Sequence, residues 1–263
     1  MSDKRWVSWS MVASAFAMVT VFHCGPVSTG GARTSIQASL RGATPTGPTS
    51  AGWSVTYEQA LLSVDTLRWN VGEPVFEARL RQRLFRAISI GTAFAHPGHY
   101  SPGDALADTS VQRVLDLMGP TVQLSSITAV TGTSNSATLT LRPTDAARAA
   151  GTTLRAGNTV RVQGTAAKDG ATVRFRMELA DAFDIAGTPA HGEIRADGTT
   201  SFAIAVDLGL WLDRADFSTL AMVAPAMDGV VDVPADGQVR NALFRGVSNG
   251  SAYRVTLLPA SGQ

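Results

Sequence analysis

The sequence predicts an all-β fold, a β-sandwich of antiparallel strands carrying one or two short helical turns. Three observations lead there. Apolar residues alternate with polar ones in "NTVRVQGTAAKDGATVRFRMEL" and again in "GEIRADGTTSFAIAVDLGLWL", and a period of two puts the apolar side chains on one face of a strand. Asx-Gly dipeptides recur after residue 165, beginning at Asp169, Asp197, Asp228, Asp236 and Asn249, and such pairs supply the positive φ values of tight turns. The chain also holds one cysteine among 263 residues, with 44% hydrophobic and 16% charged residues. No intrachain disulfide can form, so the fold rests on its apolar core.

Taken in order, "MSDKR" carries a small positive excess, and residues 6–22 are uncharged. A basic start followed by an apolar run is the layout of an export signal. The run is also about the 17 residues that begin to span a bilayer, which leaves an uncleaved anchor as the alternative. Residues 1–23 are read as the signal and residues 24–52, rich in Gly, Ser, Thr and Pro and free of acids, as a flexible tether. Residues 53–263 are read as the sandwich domain, with a split near 145–155 into two small β domains as the other division.

Within that domain, "WSVTYEQALLSVDTLRWN" opens with strand-forming residues. "EPVFEARLRQRLFRAISIG" reads two ways: Phe76, Leu80, Leu84 and Ile88 share a helical face, whereas Arg79, Arg81 and Arg83 fit the outer side of a strand. "SITAVTGTSNSATLTLRP" reads as two strands around a polar turn, and "TDAARAAGTTL" as one helical turn ended by Gly151. Hairpins are expected about Asp169-Gly170 and Asp197-Gly198, the second with Phe202, Ile204, Val206 and Leu208 facing inward. In "LWLDRADFSTL", Trp211, Asp213, Asp216 and Phe217 can line a ligand site, but large aromatics more often serve the core, so Trp211 and Phe217 are expected inside.

Charge excludes one class of partner. The chain has 22 basic and 21 acidic residues, and every basic one except Lys4 and Lys168 is arginine. A balanced chain offers no electrostatic footprint for nucleic acid. Arg79, Arg81, Arg83 and Arg86 read as a solvated face, or as a contact for an anionic glycan or lipid head group. The patterns of a nucleophile elbow, a helical zinc-protease motif and a P-loop are absent, so no enzyme is expected.

Two of the four histidines, His96 and His99, stand in "AFAHPGHYSPGDA". Pro97 fixes its own φ and Gly98 frees the next position. Two imidazoles so placed can converge on one ion, with Tyr100, Asp104 and Asp108 as nearby oxygen donors. His191, in another Gly/Pro loop, would complete a His₃ set able to hold copper or zinc. The other reading is a structural turn whose histidines cap backbone carbonyls, since H-x-x-H outside a helix is a short motif.

The N-terminus resembles a bacterial lipoprotein signal, in which the cysteine after the apolar run becomes the lipidated first residue. Cys24 takes that place here. Val21 suits the third position before it, His23 departs from the usual small residue, and Ala15-Phe16-Ala17 offers another cleavage site. Gly25 is not the aspartate linked to inner-membrane retention, so the resemblance implies the outer membrane, facing the periplasm or the cell surface. "AHPGHYSPGDALAD", "KDGATVRFRMEL", "LWLDRADFSTL" and "NALFRG" resemble a group of uncharacterised exported lipoproteins with an A-H-P-G-H-Y-x-x-G segment. More loosely, the order of elements is similar to methanobactin-associated copper-binding exported proteins. Those pair histidines with a modified tryptophan, and no Trp-x-His stands in this chain. Together these readings predict an exported, lipid-anchored, non-enzymatic binding protein holding copper or zinc through His96, His99 and His191. The alternative is an envelope module that contacts a protein or glycan without metal.

Overall fold

The computed structural model describes residues 31–74, 102–124 and 126–258. Cys24, His96, His99 and the arginines at 79, 81, 83 and 86 lie outside the described residues, as does the ambiguous stretch from residue 75 onward. The expected all-β class is what the structure shows. Among the described residues twelve strands form one mixed sheet: β1 (Arg33–Ala43), β2 (Ser54–Asn70), β3 (Ala105–Asp116), β4 (Val122–Gln123), β5 (Ile127–Val130), β6 (Gly132–Leu141), β7 (Val160–Lys168), β8 (Ala171–Leu179), β9 (Phe183–Ile194), β10 (Ser201–Asp207), β11 (Val231–Asp232) and β12 (Tyr253–Leu258). Three α-helices among the described residues interrupt them: α1 (Ala146–Ala149), α2 (Leu208–Leu212) and α3 (Gln238–Val247). All described strand pairings are antiparallel except β1 with β10 and β8 with β11.

The long strand β2 is the spine. One of its edges pairs with β7 over residues 54–62 and then with β6 over residues 64–70, while β3 takes the opposite edge. Register shifts fall at Tyr57/Gln59 and Val64/Thr66, and Gln112, opposite the second, has a φ of 44°. Such bulges bend a strand and increase its twist, so one strand can serve two partners in succession. Because β6 and β7 both pair with β2, a division at 145–155 would separate two neighbours of the same strand. From β2 the path β3-β5-β1-β10-β12 curls round until β12 meets β9. A Cβ added at Gly192 of β9 would lie 3.3 Å from that of Leu257. The curl brings Trp69 of β2 onto Phe202 of β10, with ring centroids 5.6 Å apart. At the other end, Phe217 packs on Trp53 and on Phe175 of β8, at 5.7 and 4.9 Å.

Several local expectations hold. The Asp169-Gly170 turn joins β7 to β8 with both residues at positive φ, 50° and 82°, the backbone of a two-residue hairpin. The turn at α1 is capped by Asp145 and ends before Gly151 at φ 77°. Trp211, Phe217, Phe202, Ile204, Val206 and Leu208 are all buried in the core.

Four expectations are corrected. Residues 24–52 are not all tether: β1 occupies residues 33–43, between β5 and β10 in the sheet. Its Ile36, Ala38 and Leu40 alternate into the core, a period-two signal masked by the small residues around them. Small residues are required there, because a Cβ at Gly42 would come within 2.9 Å of the Leu117 Cβ. The second correction concerns Asp197-Gly198, which does not close a hairpin. β10 pairs with β1 and β12, and β9 with β6, so the turn passes the chain between strands that share no ladder. Likewise β5 and β6 do not pair with each other but separate at Gly132, φ 155°, to join different neighbours. Finally, two of the Asx-Gly pairs begin helices: Gly237 is the N-cap of α3, and the Asn249 side chain caps a 3-10 turn.

Candidate functional site

His191 is an exposed residue of β9, and Glu193, two positions on, is exposed on the same face of the strand. Among the described residues no group of three or more His, Cys, Asp or Glu side chains is placed to hold a metal ion. Of the oxygen donors named near the histidine turn, Asp108 lies on β3 and its carboxylate accepts from the Arg68 guanidinium, with Arg68 Nε at 3.0 Å. An aspartate so engaged is a poor ligand until that pair opens.

A different constellation forms where the chain leaves the sheet. Asp207 ends β10 and its carboxylate accepts from the Gly209 amide at 2.9 Å, which caps α2. The Tyr57 hydroxyl donates to the Leu208 carbonyl at 2.8 Å. Burial, with Asp207 nearby, pushes that hydroxyl well above its ordinary range and keeps it a neutral donor. α2 is a single turn whose Leu208, Trp211 and Leu212 are buried. α3 carries the longer amphipathic pattern, with Val239, Ala242, Leu243, Gly246 and Val247 buried. The two helices touch at Gly246: a Cβ there would lie 2.5 Å from the Trp211 Cα and 2.6 Å from its carbonyl carbon.

Between the helices the segment 213–216 is held at every residue. Ser50 donates to the Asp213 carbonyl from its amide at 2.7 Å and its hydroxyl at 2.8 Å. The Gln238 side chain, in the first turn of α3, donates to the Arg214 carbonyl at 2.7 Å and accepts from the Asp216 amide at 2.9 Å. Thr49 Oγ1 donates to the Ala215 carbonyl at 3.1 Å. The Asp216 carboxylate accepts from the Ser218 hydroxyl at 2.6 Å and from Trp53 Nε1 at 3.0 Å, and these bonds, Ser218's foremost, hold its pKa below the ordinary carboxylate value.

Against this fixed backbone, the side chains of Asp213, Arg214, Asp236 and Arg245 make no hydrogen bond or ion pair to any described residue. They line a surface groove in two parts. One, of about 460 Å³, has Asp213, Arg214, Arg245, Ser248 and Asn249 in its walls. The other, of about 260 Å³, has Arg214, Asp236, Gln238, Asn241 and Arg245. Arg214 and Arg245 line both parts, Asp213 the first alone and Asp236 the second alone. Gln238, Asn241, Ala242 and Arg245 follow the i, i+3, i+4, i+7 spacing that places them on one side of α3.

Of the "LWLDRADFSTL" residues weighed as ligand contacts, the structure sends Trp211 and Phe217 to the core, and Asp216 to Trp53 and Ser218. Asp213 alone reaches the groove. Arg214 and Arg245 escape a reading of the sequence because they meet only when α2 and α3 cross. A weak signal exists in each case: a charged pair between the buried Leu212 and Ala215, and an arginine directly before a helical glycine. Compared with models of known protein families, with curated proteins and with solved structures, the chain shows no match.

Proposed function

We propose that this chain is an exported, membrane-held binding protein whose α2–α3 groove takes a polar ligand bearing a carboxylate or phosphate. One observation carries the reading: Arg214, on a backbone hydrogen-bonded at each of residues 213–216, and Arg245, on α3, line the same groove with guanidiniums that have no partner among the described residues. Arginine offers planar, multidentate donors matched to carboxylate and phosphate oxygens. A rigid mount lowers the ordering cost of binding. Asp213, Ser248 and Asn249 in one part and Asp236 and Asn241 in the other suit the hydroxyls and amides around the acidic group. Export and anchoring rest on the uncharged run of residues 6–22 with Cys24 directly behind it.

The test is calorimetric titration of the chain with inorganic phosphate, citrate and oligogalacturonate in parallel. At least one probe binds, and Arg214→Ala or Arg245→Ala each weakens it about ten-fold, the value of one charge-assisted hydrogen-bond set. Binding that survives the double substitution, or no binding by any probe, removes the proposal. For the anchor, Cys24→Ser releases the protein from membranes. Retention with membranes favours an uncleaved N-terminal segment instead.

A second reading keeps copper or zinc as the ligand, through His96, His99 and His191. Its support is the histidine spacing, together with the exposed position of His191 on β9 beside Glu193. Metal analysis of the chain beside a His96→Ala/His99→Ala variant decides it, and equal metal content in the two ends that reading.

A further inference from the structure

The segment between α2 and β11 departs from ordinary surface composition. Residues 221–229, "AMVAPAMDG", are exposed without exception. Met222 is 81% exposed, Val223 43% and Met227 fully exposed. From Phe217 to Met227 there is no charged residue. Asp228 closes the loop, and its carboxylate pairs with Arg176, Nη1 at 2.9 Å, a guanidinium that also engages Asp232 from Nε at 2.7 Å. The projection is nevertheless ordered. Leu220 and Val230 are buried at its two ends. Ala226 donates to the Val230 carbonyl and Gly229 to the Ala226 carbonyl, both at 2.9 Å, while Ala221 and Val223 donate back to Phe217 and Leu220 at 3.0 Å. The tip therefore presents apolar side chains from Ala221 to Met227, with Asp228 held in an ion pair behind them and much of the backbone already hydrogen-bonded.

We propose that residues 221–229 insert into the interfacial region of a lipid bilayer, with Met222, Val223 and Met227 as the immersed side chains. A protein partner fits the observations less well. A stable interface engages roughly 20–30 residues on each side, and nine residues on a projecting loop fall well short. Immersion requires only that a few apolar side chains leave water without dragging an unpaired charge or an open strand edge with them. Methionine suits the task, since its unbranched thioether adapts to an irregular surrounding. The proposal takes its setting from the reading of a membrane-held protein, and adds a second contact that holds the domain against the bilayer rather than leaving it on its linker alone.

The test uses the chain without residues 1–24, which keeps every described strand and helix and removes both the apolar N-terminal run and Cys24. With the native cysteine gone, Met227→Cys accepts a single environment-sensitive fluorophore. On vesicles of phosphatidylethanolamine and phosphatidylglycerol, the labelled chain co-sediments and its emission shifts to the blue. Met222→Asp/Met227→Asp lowers the partition more than about ten-fold, since burying each methionine is a substantial share of the transfer energy. Met222→Ser/Met227→Ser gives a smaller loss, and unchanged circular dichroism in both variants shows that the fold is intact. An unshifted probe, absence of vesicle binding, or equal partition of the wild type and the aspartate variant overturns the proposal. The Cys24→Ser fractionation in the full chain is scored separately, so failure of the loop and failure of the anchor are told apart.

Discussion

Gly246 lies in the last turn of α3, where helix propensity alone favours replacing it. Alanine in a helix interior is more stable than glycine by about 0.5–1 kcal/mol, so a reading of the local sequence predicts that Gly246→Ala stabilises the protein. The packing predicts the opposite sign. An added Cβ would sit 2.5 Å from the Trp211 Cα and 2.6 Å from its carbonyl carbon, whereas carbon atoms pack at roughly 3.5–4.0 Å. Both partners are backbone, and Trp211 is fully buried, so no flexible side chain can swing aside. The helices must separate by about an ångström, and overpacking of this kind costs about 1–3 kcal/mol, with backbone contacts towards the upper end. Subtracting the propensity gain leaves a net loss of about 2 kcal/mol. For a domain of this size that lowers Tm by about 4–8 °C. Thermal unfolding followed by circular dichroism measures it, and a urea titration with unchanged slope shows that the native state, not the denatured one, has moved. A midpoint equal to or above that of the wild type would refute the close crossing of α2 and α3, and with it the placement of Arg245 beside Arg214.

The remaining predictions address the sheet. A chain beginning at Trp53 lacks β1 and leaves β5 and β10 without their shared neighbour, so it fails to give a cooperative unfolding transition, whereas a chain beginning at Gly25 unfolds cooperatively. Glu178→Ala removes the ion-pair partner of Arg161 (2.6 Å, both largely buried) and an acceptor of Asn158 (3.0 Å), leaving Arg161 only its bond to Gln59; stranding a buried charge costs about 3 kcal/mol, read as a lower urea midpoint. Hydrogen bonds from Arg174, the largest influence, hold the Glu58 pKa near 2 against an ordinary 4.5. A depressed carboxylate contributes its stability above the unfolded value and loses it as pH falls through the folded one. The Tm difference between wild type and Glu58→Gln therefore shrinks from pH 4.5 towards pH 2, and because Glu58 is a third exposed the difference is small and salt-sensitive.

How far the sequence reaches is visible in particular elements. The β7–β8 hairpin was legible because its turn, its register and its buried face all lie within twenty consecutive residues, where alternation and Asp-Gly chemistry act together. β1 was not legible: its alternation is short, and its two serines and Gly42 mimic a linker. Gly42 allows close approach to Leu117, and the strand's partners, β5 and β10, lie far along the chain, as in Ile36 with Ile127 and Gln37 with Ser201. The Asp197-Gly198 turn shows the same division from the other side. The dipeptide specifies a reversal of the chain, but which strands then hydrogen-bond depends on which edges are free, and β1 and β12 take both edges of β10. The groove belongs wholly to this second class, since Arg214 and Arg245 become neighbours only through the contact of Gly246 with Trp211. By itself, then, the sequence determined the all-β class, the disulfide-free core, the strand faces and the turn positions, because each follows from spacing and backbone preference over a few residues. Tertiary structure alone decided strand order, the role of the first strand, the arginine groove and the exposed methionine loop. Those depend on which distant surfaces meet, and on which side chains the finished packing leaves outside.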